Sequence, residues 1–302
     1  MPMRLLLGGT VAGASMLPEA GSAIAASLHS LRTAELLNMQ EMGLLGWFLV
    51  DLGINWAGWA VAAALKTEMF YDALGTSSFL ALTAGSLITG GASGARKWLV
   101  SGMVGVWAVR LGSYLVSRIH QTGRDRRFDS IKNSPGKFFV AWTMQAVWVW
   151  VTLLPVLFIN GAKAATPLRA LDAIGIALFA LGFGIEVVAD WQKAAFRARP
   201  DSAGRFIDEG LWSYSRHPNY FGEMVLWWGV FATCAPGFSA PWQYAAVASP
   251  LLVAWLLTSV SGVPLLEKSA EERWGSTPEY REYKARTHVL LPLPRLKDTH
   301  TS

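Results

Sequence analysis

Hydrophobic positions in this chain come in long runs rather than in stripes. Such runs recur near 43–65, 74–91, 98–119, 138–160, 169–190, 218–235 and 243–264. About 20 consecutive apolar residues cross the hydrocarbon core as a helix, and inside lipid a helix satisfies its own backbone. The pattern predicts an all-α, polytopic bundle of about seven transmembrane helices. Ahead of the first run, Arg4, the apolar stretch Leu5 to Leu17, Pro18 and Ala23-Ile24-Ala25 have the layout of a secretory signal. An ordinary N-terminal helix or loose tail is the other reading. The chain divides into an extension over 1–40 and a transmembrane domain over 41–302.

Polar positions gather between the runs. The connection 118–137 carries Arg118, Arg124, Arg126, Arg127, Lys132 and Lys137; the connection 191–217 carries Lys193, Arg197, Arg199, Arg205 and Arg216. The tail after 264 is also basic. With seven spans, all three regions fall on one side, which the positive-inside rule makes cytoplasmic. Arg96 and Lys97 run against that rule. The expected location is an integral membrane protein of the bacterial inner membrane with its C-terminus cytoplasmic. The net charge of +5 is therefore a topology signal, with no nucleic-acid partner implied.

Composition narrows the chemistry. Cys234 is the single cysteine, so there is no intrachain disulfide and no cysteine-rich metal site. The five histidines lie at 29, 120, 217, 288 and 300, with no pair at helical spacing, and no metal is expected. Thr89-Gly90-Gly91-Ala92-Ser93-Gly94 mimics a dinucleotide-binding turn, but it lacks the surrounding βαβ pattern and the final glycine. It reads as a loop between two spans.

Two polar stretches stand out. Glu186, Asp190, Lys193 and Arg197 are spaced four, three and four apart, so they form one helical stripe with acids first and bases last. The stripe is either a self-neutralising set of ion pairs or the wall of a site. It leads into the glycine-punctuated loop 204–223, which holds Arg205, Tyr214, Arg216 and His217 before entering a helix through Pro218. Proline at the first helical position presets the helix, and its free N–H groups and dipole suit an anion. Asn219 and Glu223 share a face of that helix, beside Tyr220. Glu68 and Tyr71, three apart, are either a carboxylate–phenol pair that polarises a carbonyl or an interfacial belt. In the third run Arg110 lies one turn from Tyr114, facing a partner such as Glu186 or Glu223, or a ligand. The 124–129 stretch reads as a solvated loop.

The tract Glu186 to Arg197, the run Gly-Leu-Trp-Ser-Tyr-Ser-Arg-His-Pro-Asn-Tyr-Phe-Gly-Glu at 210–223 and the tail 279–287 resemble the membrane-bound steroid 5-alpha-reductase-like family, related to the delta-14 and delta-7 sterol reductases. The resemblance covers roughly 45–296. It implies a seven-helix bundle with NADPH in its cytoplasmic half, reducing a C=C bond of a steroid, sterol-like or other enone lipid. Carried over, the cofactor residues are Asp190, Arg197, Arg205, Asn219 and Glu223, with Glu186, Tyr214, Arg216, His217 and Tyr220 beside them. The family's catalytic glutamate corresponds to Glu68. Its catalytic tyrosine falls near Trp107, which leaves Tyr71 and Tyr114 as substitutes.

The alternative is a membrane methyltransferase using S-adenosylmethionine, since isoprenylcysteine carboxyl methyltransferases have a similar Arg-His-Pro-x-Tyr-x-Gly turn. Asn219, Glu223 and the Asp190/Arg197 stripe favour the reductase. A third reading is a lipid- or sterol-binding membrane protein with a degenerate site.

Overall fold

The computed structural model describes residues 43–294; the signal-like stretch and the 1–40 extension lie outside the described residues. The described chain forms nine α-helices: α1 Leu44–Leu65, α2 Tyr71–Thr89, α3 Ala95–Thr122, α4 Pro135–Asn160, α5 Asp172–Arg197, α6 Pro218–Cys234, α7 Ala248–Trp255, α8 Val263–Trp274 and α9 Pro278–Arg286. No strand occurs among the described residues; a lone parallel bridge joins Ser215 to His288. The architecture is an all-α membrane bundle.

The expected seven spans are only partly recovered. Among the described residues five helical stretches are long and apolar enough to cross a membrane: α1, α3, α4, α5 and the composite Pro241–Trp274. Helix α6, with 17 residues, is at the lower limit of length for a crossing, and α2 interleaves Gly75, Thr76, Ser77 and Ser78 among its apolar positions. The last expected span is broken into a 3-10 turn, α7 and a π-turn at Leu256–Val260 before Pro264 starts α8.

The closest packing is between α5 and α6, and glycine makes it. Gly175 and Gly182 on α5, and Gly222 and Gly229 on α6, recur at seven-residue spacing on facing sides. A Cβ on Gly182 would stand 2.4 Å from Leu226 N, and one on Gly222 would stand 2.6 Å from Gly182 O. Without side chains at these points the two backbones touch, the usual device where lipid removes the hydrophobic drive between helices.

Polar residues tie the remaining helices internally. Asn55 donates to Asp51 Oδ1 at 2.8 Å and Gln145 donates to Asn55 Oδ1 at 3.0 Å, linking α1 to α4. At one end of the bundle, Arg96 uses all five guanidinium N–H groups, on Asp172, on Thr166 Oγ1 and on the carbonyls of Pro167 and Thr233. Lys97 donates to Gly90 O at 3.0 Å. The two residues that oppose the positive-inside pattern are thus buried tie-points rather than surface charges. The 89–94 glycines form the α2–α3 turn, as expected, and Gly90 abuts the backbone of Asn160.

Candidate functional site

The opposite end holds the C-termini of α3 and α5 and the N-terminus of α6. Here Arg110 of α3 reaches α5 and pairs with both Glu186 and Asp190. Asn219 of α6 donates to Asp190 Oδ1 at 3.1 Å. Glu223, one turn deeper, accepts the indole N–H groups of Trp107 at 3.3 Å and Trp227 at 3.2 Å. One guanidinium, three carboxyls and one amide from three helices therefore converge, because the glycine seam brings α5 and α6 together. Two buried acceptors in this cluster have no donor: Glu186 Oε2 and Asn219 Oδ1. Buried polar atoms without a partner are rare and call for an explanation.

Above the cluster a cavity of about 340 Å³ opens between α3 and α5, lined by Tyr114, Ser117, Arg118, Gln121, Asp190, Lys193 and Arg197 among others. The Arg110 guanidinium lies 5.8 Å from the centre of the Tyr114 ring. A second cavity of about 150 Å³ lies under the loop 204–217 and the tail; Arg205, Phe206, Arg273, Trp274 and Tyr280 line it. Lys193 and Arg197 border both. Lys193 sits 4.3 Å from the Trp212 ring centre. Arg197 is exposed, and among the described residues its guanidinium has no hydrogen-bond or ion-pair partner; its carbonyl accepts from Ser202 Oγ at 3.4 Å.

Residues 58–287 match the protein family described as "Protein of unknown function (DUF1295)". The chain belongs to this family. No curated protein and no solved structure matches it. The matched span contains the convergent cluster, both cavities and the tail that closes the second.

Several expected roles need correction. The Glu68–Tyr71 side-chain pair is not formed. Tyr71 donates to Ala141 O at 2.9 Å and packs on Phe128 and Trp142, while Glu68 accepts from Lys132 at 3.0 Å and from the Asp125 N–H at 3.2 Å. Spacing of three put both on one face, but α2 begins at Tyr71 and leaves Glu68 in the preceding turn. That Glu68 hydrogen bond holds the Lys132 ammonium above its ordinary value. Of the three expected catalytic side chains, only Tyr114 lines the larger cavity.

Arg216 and His217 likewise do not present themselves to an anion at the α6 terminus. Arg216 binds Glu267 through both ends of the carboxylate, at 3.1 and 3.0 Å, and donates to Lys284 O and Thr287 O. His217 Nε2 meets the same carboxylate at 2.8 Å and its ring stacks on Tyr220. Burial pushes the His217 imidazole below its ordinary value despite the opposing Glu267 contact, so it stays neutral and donates from Nε2. These two residues clamp the tail onto the loop. Tyr214 points outward, 47% exposed, and borders neither cavity.

The stretch expected as a solvated loop is also tied down. Arg127 binds Asp72 and Asp125, and Arg118 joins Asp72 at 2.7 Å. Burial works against the Asp125 carboxylate, but the Arg127 hydrogen bonds and charge outweigh it and hold its pKa low.

The partners Glu267, Lys132, Trp107 and Trp227 carry no signal of that role in the sequence. Arg216 and His217 read in the sequence as part of an anion seat; nothing there distinguishes Glu267 from the other acids of the tail.

Proposed function

We propose that this protein is a membrane-embedded, NADPH-dependent reductase acting on a C=C bond of a hydrophobic enone lipid of the steroid or sterol-like kind. The observation that carries the reading is the orphaned Asn219 Oδ1, beside Asp190, which lines the larger of two cavities that share the cations Lys193 and Arg197. An acceptor without a donor asks for a ligand N–H such as a carboxamide. Arg197, Arg205 and Arg273 ask for phosphate. A nicotinamide dinucleotide carries both groups, so the residues present fit it; when bound it supplies a hydride. With Arg216 withdrawn into the tail clamp, Arg197 and Arg205 take the anion-binding role.

The other residues divide the work. Arg110 fixes Glu186 and Asp190, and Asp190 fixes the Asn219 amide, so the acceptor is pre-aimed. Tyr114 on the cavity wall offers a neutral O–H to the substrate carbonyl oxygen, where charge develops as the β-carbon receives hydride. The seven-span arrangement, with the basic end cytoplasmic in a bacterial inner membrane, belongs to the same reading.

The test is thermal stability of the purified, detergent-solubilised protein with NADPH or S-adenosylmethionine. A ligand at a hundred times its dissociation constant adds about 2.7 kcal/mol. NADPH is expected to raise the melting temperature and S-adenosylmethionine to leave it unmoved. The reverse outcome moves the protein to the methyltransferases, and no shift with either favours the lipid-binding reading.

A further inference from the structure

The convergent cluster holds more acid than base. Facing Glu186 are Arg110 from α3, Asp190 from α5, and Asn219 and Glu223 from α6; the Tyr114 phenol lies beyond Arg110, and Lys193 lies two turns further along α5, over the Trp212 ring. Three carboxyls thus meet one guanidinium in a region where uncompensated charge is costly. A proton on one carboxyl lowers that imbalance.

Hydrogen-bond accounting says where that proton sits. Arg110 takes Glu186 Oε1 and one oxygen of Asp190. Asn219 takes the other Asp190 oxygen, so Asp190 is fully satisfied as a carboxylate. Trp107 and Trp227 each donate to one oxygen of Glu223. Glu186 Oε2 alone is left; the residue is 3% exposed and no N–H or O–H reaches that oxygen. Yet the glycine seam sets the two residues against each other: a Cβ on Gly222 would stand 2.7 Å from Glu186 N, so Glu223, the next residue, has its carboxyl facing that of Glu186. Two carboxylates cannot hydrogen-bond, because neither has a donor. A proton on Glu186 Oε2 turns the orphan acceptor into the missing donor and Glu223 into its acceptor. Like-charged carboxyls at this range do not both ionise, the logic by which carboxylate dyads share one proton.

We infer that Glu186 and Glu223 hold one proton between them as a buried acid–carboxylate pair, and that this pair is the proton store of the reduction. The second half rests on the reductase reading; the first does not. Reducing a C=C bond adds a hydride to one carbon and a proton to the other. The substrate C–H bond forms as one O–H bond at the cavity breaks, and the pair's proton makes that loss good, leaving two carboxylates that regain one proton from solvent. Losing a hydride and a proton in the same turnover leaves the total charge of the buried site unchanged, which a low-dielectric interior favours. The Trp107 and Trp227 indoles steady Glu223 during the interval when it faces a second charge.

Infrared difference spectroscopy of the whole detergent-solubilised protein tests the shared proton directly. At neutral pH a carboxylic C=O band is expected, and both Glu186→Gln and Glu223→Gln should abolish it, since either leaves one carboxylate facing a neutral amide. No band in the wild type, or a band that survives in either variant, overturns the sharing. The use of the proton is read from NADPH oxidation with an accepted enone. Glu223→Gln is expected to lower turnover roughly 10²- to 10⁴-fold and to erase the high-pH limb of the rate profile. An unchanged pH profile would remove the store from the reaction and leave the shared proton standing. Absence of NADPH oxidation in the wild type, with the band behaving as expected, would sink the reductase reading alone.

Discussion

Replacing Arg96 by methionine probes how far the bundle depends on one buried charge at the end away from the cavities. The substitution keeps an apolar stem of similar length and deletes the guanidinium. Arg96 is 1% exposed and all five of its N–H groups are used. Its loss leaves Asp172, also 1% exposed, with the Arg169 backbone N–H at 2.6 Å as its remaining donor. The carbonyls of Pro167 and Thr233 lose their Arg96 hydrogen bonds as well. Breaking one side of a buried ion pair costs about 3–5 kcal/mol, and a buried acceptor left unsatisfied costs about 1–3 kcal/mol. These terms overlap, so about 5 kcal/mol is the working value, a factor of several thousand in the folded ratio at 1.4 kcal/mol per decade. Asp172→Leu should cost a similar amount by stranding the cation. The double variant should recover most of the loss, because a buried pair replaced by apolar groups is often neutral. Equilibrium unfolding of the four proteins in mixed micelles gives the coupling energy. A loss below about 1 kcal/mol in Arg96→Met, or singles that simply add in the double, would refute the account and mark Arg96 as a solvated surface charge.

Three further outcomes follow from the same geometry. Gly222→Val places a branched side chain where a single Cβ already stands 2.6 Å from Gly182 O. It should cost stability by more than the roughly 1–3 kcal/mol of ordinary overpacking, and lower NADPH affinity with it by moving Asn219 away from Asp190; an affinity as in the wild type would show that the seam does not position the site. Arg197→Ala should weaken NADPH binding with little change in unliganded melting temperature, whereas Arg216→Ala should do the opposite. Binding isotherms and melts of both variants decide between the tail clamp and the phosphate seat at the α6 terminus. His217, whose imidazole is held below its ordinary value by burial, stays neutral in the fold while the unfolded chain takes up a proton as pH falls through about 6.5. The stability it contributes is full above that pH and is lost below it. Melting temperatures from pH 7.5 to 5.5 should fall less in His217→Gln than in the wild type, and parallel curves would assign the acid sensitivity to other groups.

What the sequence determined by itself was local. Runs of apolar residues place five helices within a few residues of where they form, and a sixth, α5, that runs seven residues past its expected end, because an apolar stretch in lipid has helix as its main way to satisfy its backbone. The stripe Glu186, Asp190, Lys193, Arg197 is likewise local, fixed by 3.6 residues per turn, and a charge as costly as Arg110 announces a partner before any partner is seen. Which residue answers such a charge is a question of which faces meet. Arg216 was legible as an anion ligand until α8 brought Glu267 to it across 51 positions, and Glu68 as half of a catalytic pair until Lys132 reached it across 64. The four glycines spaced by sevens sit in two separate helices, and only their contact makes them a seam. Helix formation is set by neighbours in the chain, whereas the pairing of buried charges is set by desolvation, which acts on whatever atoms the packed helices bring within reach.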